Sequence, residues 1–435
     1  MKTLFVNAHV ISPDVDCADT AVLLDGARIA ALFNPGDALP TADQVIDLAG
    51  HYLLPGFFDI HTHGCDGHDF CDGTPAAVRG IARHKLSQGV TSFLGTTLTL
   101  PEEELARSLQ AAKDYMSADP DGAVIPAIHL EGPFFAAEGA GAQNPAYLQA
   151  PDIALVRRLH ALYPVAKLSY SLELDPQCSF VRDLVELGVM PSCAHSLASY
   201  ELFKQSCFLG LKHMTHFCNV MTPLHHLKFG LVGGGLLHRD VFVELICDGV
   251  HLCPEMIQLL FMVKGCDQIM LITDSMRAAG MPDGDYSLGG LPVVVSNGCA
   301  RLKTGQVAGS TLLFHEGLKR VRALTGLPLS QLVKTCAWNQ ARSLNITGIG
   351  KIAPGFHADL AVLDHDLNPA QTWVGGTLRW PHDMPCLTAC REATEGPACR
   401  AACRAAPHAV RLRSGRAGYR SNRRAPCATK KNSQD

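Results

Sequence analysis

Two histidines in the segment His61-Thr62-His63 have a spacing that suits the binding of a metal ion. They come at the end of an apolar run, residues 57–61, that predicts a β-strand. Side chains at positions i and i+2 of a strand point to the same side, so both imidazoles can reach one ion. A single pair of this kind is weak evidence, and its interpretation depends on whether similar residues recur.

Similar residues do recur, each at the end of another predicted strand. They are Glu131, His195, His216 and Asp274. The strands before them are apolar, and a buried carboxylate or imidazole needs a partner. Imidazole and carboxylate ligands without a thiolate favour Zn, Fe, Mn or Co. The six residues therefore predict a site for one or two divalent metal ions per subunit, with zinc as the preferred ion.

The elements that position these residues follow the pattern of βα units around a parallel sheet. The predicted strands are 57–61, 90–97, 124–130, 167–174, 189–195, 211–216, 241–247 and 269–274. The predicted helices between them are 76–88, 102–118, 151–163, 178–187, 197–207 and 254–264. We expect an α/β fold, a (β/α)8 barrel of the TIM type over residues 56–345. Because active sites of such barrels lie at the carboxyl ends of the strands, all six residues would share one face.

Residues outside the barrel predict a second, smaller unit. Residues 1–55 and 346–375 contain short strands separated by turns, and we expect both segments to form one small β-sandwich domain. Periodicity is lost from about Gly376 onward. Residues 376–435 carry 12 Lys and Arg against 4 Asp and Glu, which predicts a disordered basic tail, with a basic interaction arm as the alternative.

Composition excludes several classes of protein. Of the 435 residues, 47% are hydrophobic and 18% are charged, which is typical of globular proteins. The sequence has no apolar run of 18 residues, and its first residues lack the apolar region of a signal peptide. The 17 cysteines are spread along a long chain, which favours reduced thiols. We therefore expect a cytoplasmic protein, with neither a membrane nor a nucleic acid as partner.

Several segments follow one another in an order that resembles the amidohydrolase superfamily and, within it, the N-acetylglucosamine-6-phosphate deacetylases. These segments are LLPGFFDIHTHG, HLEGPFF, GAQNPAY, CAHS, THFCNVMTPLHH, CDGVH, LITDSMRAAGMPDG and QVAGS. The resemblance extends from about residue 3 to residue 366. It implies a homodimer that uses a metal-activated water to hydrolyse the N-acetyl group of an amino sugar phosphate.

The resemblance also implies roles for particular residues. Glu131, His195 and His216 match the metal ligands common to the family, and His61 and His63 match the extra pair of members with a second metal. Asp274 matches the general acid and base, which takes a proton from water and returns it to the leaving amine. The residues that match substrate contacts are Ala142, Gln143, Asn219, Val220, Lys228, His251, Val307, Ala308 and Gly309.

Two positions depart from the family pattern. Where the family usually has a histidine after Gly-Ala, this chain has Gln143, which can donate a hydrogen bond but carries no charge. Where the family generally has an arginine that reaches a phosphate, this chain has Leu227, followed by Lys228. Lysine supplies a point charge but lacks the planar fork of arginine.

Two alternatives stay open, and these departures motivate the first of them. The first is an amidohydrolase that acts on another N-acyl amino sugar, phosphorylated or not, or on another amide. The second is a metal- or sugar-binding protein without catalysis, against which the retention of all six chemically active residues argues.

Overall fold

The computed structural model describes residues 1–381, in which eight parallel strands form a barrel. The strands follow one another around the barrel in chain order, and each pairs in parallel with its neighbours. A parallel bridge between Thr62 and Ser275 joins the last strand to the first. The prediction of a (β/α)8 barrel is confirmed.

All eight predicted barrel strands are present, although several are shorter than predicted. Their bounds are Phe57–Thr62, Val90–Thr96, Ile128–Glu131, Val165–Tyr170, Met190–Cys193, His213–Met214, Phe242–Ile246 and Ile269–Ile272. The third strand begins four residues late because Pro126 cannot donate to the ladder. The fourth ends at Tyr170, where the chain turns into the 3-10 helix Leu172–Leu174.

The six helices predicted between strands are also present, with ends that differ by at most three residues. The α-helices are Pro75–Leu86, Glu102–Ser117, Ile153–Leu162, Ser179–Leu187, Tyr200–Phe208, Gly230–Leu237, Pro254–Lys264, Phe314–Thr325, Leu329–Leu332 and Trp338–Ser343. The remaining short 3-10 helices are Phe70–Asp72, Ala137–Gly139, Pro145–Tyr147 and Val333–Thr335. The helices cover the apolar outer face of the barrel strands, and this interface is the main core of the protein.

The helix Gly230–Leu237 is not among the helices predicted from the sequence, and glycine is a poor helix former. Its glycines allow the helix backbone to pack closely against neighbouring side chains. A Cβ atom on Gly234 would lie 2.7 Å from the ring of Phe203, and one on Gly235 would lie 2.3 Å from the ring of Phe217. Close packing on these two rings overrides the low propensity of the segment.

A buried ion pair supports the seam where the barrel closes. Lys85 and Asp59 are both fully buried, and the Lys85 Nζ atom lies 2.7 Å from Asp59 Oδ2. The same ammonium group donates to the hydroxyls of Thr273 and Ser275, at 3.2 and 3.3 Å. Asp59 belongs to the first strand, so this network ties the first strand to the segment that follows the last one.

We expect the variant Lys85→Met to be strongly destabilised, because it leaves the buried Asp59 carboxylate without its cation. Breaking a buried pair in this way typically costs about 3–5 kcal/mol. Denaturant unfolding followed by circular dichroism measures the effect. The matched control is Arg158→Met, which removes an exposed ion pair with Glu102 and should shift the unfolding midpoint little. Equal midpoints for the two variants would contradict the role of Lys85.

The ends of the described chain form a separate sheet of eight strands, consistent with the predicted β-sandwich domain. Its strands are Lys2–Ser12, Val15–Asp25, Arg28–Phe33, Gln44–Asp47, Tyr52–Pro55, Leu360–Leu363, Pro369–Val374 and Thr377–Trp380. The antiparallel pairing of Leu360–Leu363 with Tyr52–Pro55 joins the two terminal segments. Smaller antiparallel sheets are formed by Gly64–Cys65 with His68–Asp69, and by Gly284–Leu288, Leu291–Ser296 and Cys299–Leu302.

The last strand of this sheet, Thr377–Trp380, lies beyond residue 375, where the sequence analysis ended the β-domain. Its pairing with Pro369–Val374 places residues 376–380 in the folded part of the chain. The rest of the predicted basic tail lies outside the described residues. Among the helices that the structure describes, none has the length and hydropathy needed to cross a bilayer.

Candidate active site

The six residues singled out from the sequence meet at one end of the barrel, and all of them are buried. They form two groups of three, His61 with His63 and Asp274, and Glu131 with His195 and His216. Within each group, one ligand-type atom per residue lies within 4.8 Å of the others. The expectation that alternation brings His61 and His63 to the same side of the strand is met, since their rings lie 5.3 Å apart.

Glu131 stands between the two groups. Its Oε1 atom lies 3.3 Å from His216 Nε2, 3.7 Å from His195 Nε2 and 3.5 Å from His61 Nε2. Its Oε2 atom lies 3.3 Å from His63 Nε2. Asp274 Oδ1 lies 3.4 Å from His61 Nε2 and 3.3 Å from His63 Nε2. One carboxylate therefore contacts all four imidazoles, and the other contacts two of them.

The backbone is strained at three of these positions. His195, His216 and Asp274 have φ angles of 47°, 33° and 47°, in the left-handed region that residues with a Cβ rarely adopt. Such a conformation costs on the order of 1–3 kcal/mol per residue and persists only where the surroundings impose it. All three lie just past a barrel strand, so the turn out of the strand is what aims each side chain into the centre.

Electrostatic contacts favour the charged forms of the acidic groups. Burial by itself would raise the pKa of Asp274, but His61 and His63 lower it to about 2. Burial would likewise raise the pKa of Glu131, yet the surrounding imidazoles, with His61 the largest contributor, hold it well below the usual range. Burial would lower the pKa of His63, and its hydrogen bonds to Asp274 and Glu131 raise it to about 10. Both carboxylates are therefore ionised at neutral pH.

The donor set fits a divalent metal ion. The His61 Nε2 atom is buried and has no hydrogen-bond partner among the described residues, although it faces Glu131 and Asp274. An unpaired buried nitrogen is costly unless something else binds it. The Nε2 atoms of His195 and His216 lie only 3.1 Å apart, an approach that a shared cation would stabilise. Neutral imidazoles with one or two carboxylates suit Zn, Fe, Mn or Co.

A cavity of about 300 Å³ opens onto this centre. Seven of the residues predicted to contact substrate line it, namely Ala142, Gln143, Asn219, Val220, His251, Val307 and Gly309. Gly309 has a φ of 65°, and a Cβ atom there would lie 3.2 Å from the carbonyl oxygen of Asp274. Leu98, Glu138, Leu288 and Gln306 line the cavity as well and were not predicted.

Two predicted substrate residues do not line the cavity. Ala308 is fully buried behind it. Lys228 lies in a separate outer groove of about 750 Å³, together with Tyr200 and Phe229. Among the described residues, the lining of the central cavity includes no lysine or arginine. The cation expected from the sequence for a phosphate group is therefore not part of this cavity within one chain.

The side chain of Gln143 is held in one orientation. Its Oε1 atom accepts a hydrogen bond from the backbone N–H of Thr99 at 2.8 Å, and its Nε2 atom donates to Glu131 Oε2 at 2.7 Å. The amide has a second N–H, so Gln143 can hold Glu131 and still donate to a ligand. Donation to a ligand was expected from the sequence, whereas the hydrogen bond to Glu131 was not.

His251 is also held by a neighbour. Its Nδ1 atom lies 2.7 Å from Asp248 Oδ2, and its backbone N–H donates to the other oxygen of the same carboxylate at 2.9 Å. Burial would raise the pKa of Asp248, but the contact with His251 lowers it. The carboxylate thus binds Nδ1 and leaves Nε2 as the ring nitrogen available to a ligand in the cavity.

A buried ion pair beneath the centre was not predicted from the sequence. Glu244 and Lys167 are both fully buried and form an ion pair with each other. Burial would raise the pKa of Glu244, but Lys167 and His61 lower it to about 2. The sequence did contain a signal for this pair, since each residue is the one charged residue of its strand and a buried charge requires a partner.

Comparison with known proteins places this site in a family. Residues 52–379 match the Amidohydrolase family. An N-acetylglucosamine-6-phosphate deacetylase of Lysinibacillus sphaericus is 35% identical over 333 residues, which cover 76% of this chain and 86% of that protein. An N-acetylgalactosamine-6-phosphate deacetylase of Escherichia coli O157:H7 is 32% identical over 342 residues, which cover 78% of this chain and 90% of that protein.

The fold agrees with a solved structure as well. The crystal structure of an N-acetylglucosamine-6-phosphate deacetylase from Thermotoga maritima superposes with a TM-score of 0.78 at 34% sequence identity. The match covers 87% of this chain and 99% of that one. The likeness therefore includes both the barrel and the sheet formed by the terminal segments.

Proposed function

This chain belongs to the amidohydrolase family, and from that premise we propose that it hydrolyses the N-acetyl group of N-acetylglucosamine 6-phosphate. The products are glucosamine 6-phosphate and acetate. One observation carries the proposal. Two buried groups of three potential metal ligands, called the metal-type groups below, meet at a cavity in a chain whose relatives have this activity. The reaction is an amide hydrolysis, in which water adds to the carbonyl carbon and the C–N bond breaks.

We propose zinc as the ion, held by Glu131, His195 and His216, with His61, His63 and Asp274 available for a second one. A bound divalent ion of this kind polarises a carbonyl oxygen and lowers the pKa of water from 15.7 to about 7. The chain supplies the remaining chemistry through proton transfer and orientation.

Asp274 is the proposed general base and acid. Its carboxylate is ionised, faces the cavity and can accept the proton of the attacking water. An amide nitrogen leaves poorly unless it is protonated, so the same proton must then reach the leaving nitrogen. The second N–H of Gln143 and the Nε2 atom of His251 are proposed to orient the substrate, with Asn219, Val220 and the 307–309 loop around the sugar.

The phosphate requires a cation from outside the cavity lining. We propose that it comes from Lys228 in a homodimer, in which the outer groove of one chain lies against the other. Leu227, which is 80% exposed, and Phe229, which is 37% exposed, line this groove, and exposed apolar patches commonly mark interfaces. Closed two-fold dimers are the commonest soluble assemblies.

A charge at this apolar face should disrupt the dimer. We expect Leu227→Asp to shift the sedimentation coefficient from dimer to monomer, because the carboxylate would be desolvated in the interface. Met262 is 81% exposed elsewhere on the chain, so Met262→Asp is the matched control and should remain dimeric. A monomeric wild type, or a dimeric Leu227→Asp variant, would remove support for this interface.

A cytoplasmic location is part of the proposal. The cysteines among the described residues are free thiols, and these persist in a reducing compartment.

A second candidate function is favoured by the absence of lysine and arginine from the cavity lining of the described chain. It is deacetylation of an N-acyl hexosamine that carries no phosphate. The two functions are separated by acetate release from N-acetylglucosamine 6-phosphate, N-acetylgalactosamine 6-phosphate and unphosphorylated N-acetylglucosamine at matched concentrations. The proposed function predicts that the first substrate is preferred over the last by 100-fold or more, about 2.7 kcal/mol of transition-state binding. Equal or reversed preference would favour the second candidate.

A further inference from the structure

Glu244 lies beneath the metal-type groups and belongs to neither of them. It is fully buried in the seventh barrel strand, and both of its carboxylate oxygens are engaged. Oε2 lies 3.1 Å from His61 Nδ1 and also accepts the backbone N–H of His216 at 3.3 Å. Oε1 binds the ammonium group of Lys167. One carboxylate thus contacts a residue from each group of three.

The contact with Glu244 determines which nitrogen of His61 is free. A carboxylate that already accepts from Lys167 and from a backbone N–H can only accept from the imidazole, so Nδ1 carries the proton. In the neutral imidazole, Nε2 then holds the lone pair, and it lies 3.4 Å from Asp274 Oδ1 and 3.5 Å from Glu131 Oε1. A hydrogen bond of this kind to the distal nitrogen fixes the tautomer and ring orientation of a metal-binding histidine.

Lys167 offsets the desolvation cost of burying the Glu244 carboxylate. It lies on the fourth strand, across the barrel interior from Glu244, and is itself fully buried. An isolated buried carboxylate would carry a large desolvation cost, which a buried ammonium partner offsets. Among the described residues, Lys167 forms no hydrogen bond or ion pair with either group, and its direct contact is with Glu244.

We propose that Glu244, held by Lys167, is a positioning residue that gives the centre its second metal position by orienting His61 with Nε2 toward Asp274 and Glu131. The inference rests on the proposed function only in requiring that the centre binds divalent ions. According to this proposal, the number of bound ions depends on Glu244 and Lys167, which are not themselves among the potential metal ligands.

Metal stoichiometry tests the assignment without reference to catalysis. The variant Lys167→Met/Glu244→Met replaces both charges with apolar side chains of similar length, an exchange that buried ion pairs often tolerate. The protein is stripped with a chelator, titrated with Zn²⁺ in competition with a chromophoric chelator, and analysed for bound zinc by mass spectrometry after gel filtration. Circular dichroism confirms that the variant is folded.

We expect two ions per chain in the wild type. In the double variant, the affinity of the weaker ion should fall by 10- to 100-fold, the range typical for loss of such a supporting contact, while the tighter ion is retained. The matched control is Glu102→Gln/Arg158→Met, which removes an exposed ion pair between two helices and should keep both ions.

Three results would overturn the inference. The first is a wild type that binds one ion, and the second is a double variant with two ions of unchanged affinity. The third is loss of both ions from a folded double variant, which would mean that Glu244 supports the whole centre. Each is distinct from failure of the proposed function, in which a protein with two bound zinc ions releases no acetate.

Discussion

The variant Asp274→Asn is expected to lose hydrolysis of N-acetylglucosamine 6-phosphate by a factor of at least about 10³, while it keeps an ion at Glu131, His195 and His216. Proton transfer by a positioned group contributes about 10²–10⁴-fold to enzymatic rates. Asp274 is proposed to perform two such transfers, from the attacking water and to the leaving nitrogen. An asparagine has nearly the same shape but cannot accept the proton of the attacking water. The loss should therefore fall on kcat, with KM changed little.

Acetate release and bound zinc, measured on the same preparation, check this expectation. Asp285→Asn, at an exposed position of the Gly284–Leu288 strand, is the control and should retain wild-type rates. A near-normal kcat for Asp274→Asn would refute the role of Asp274. A total loss of zinc from that variant would show that Asp274 acts as an indispensable ligand instead.

The variant Glu131→Gln is expected to lose both the metal and the activity. Glu131 contacts all four histidines of the centre, and the amide would remove the negative charge that offsets a divalent cation in a buried site. We expect less than a tenth of the wild-type zinc content and a kcat/KM lowered by at least about 10⁴-fold, since both polarisation and water activation depend on the ion.

Zinc analysis and acetate release again measure the outcome, with Glu102→Gln as the exposed control. Added zinc in excess should restore little activity, because the defect lies in the ligand. Retention of one tightly bound ion together with a rate within tenfold of the wild type would contradict the assignment of Glu131 as the central ligand.

The positions of the six candidate residues could be predicted because, in a barrel, the order of the strands in the sequence determines where the strand ends lie. In parallel strands that follow one another around a barrel, every strand end lies at the same face. The residues that had to converge there are His61, His63, Glu131, His195, His216 and Asp274. Nothing beyond the order and spacing of apolar runs was needed to reach that expectation.

The supporting contacts could not be predicted in the same way. Glu244 and Lys167 are separated by 77 residues, and their pairing depends on which strand faces which across the barrel interior. The charge of each residue within an apolar strand indicated that a partner exists, but not which one. Gln143 likewise binds Thr99 and Glu131 through a loop whose path has no periodic signal.

Two features of the structure show the limits of residue type as a guide. The Gly-rich segment Gly230–Leu237 is a helix because its glycines pack against Phe203 and Phe217, a tertiary effect that propensity does not contain. Lys228 has the charge expected for binding a phosphate, yet its backbone follows the outer groove instead of the cavity. In both cases the neighbours in space, not the residue type, determine the outcome.

The most direct test of the central claim is acetate release from N-acetylglucosamine 6-phosphate by one preparation of the full chain, first stripped of metal and then titrated with zinc. We expect negligible acetate release by the stripped protein. We also expect acetate release to rise with bound zinc, with glucosamine 6-phosphate formed in equal amount. Stripped protein as active as the loaded form, or zinc-loaded protein that releases no acetate, would contradict the proposed function.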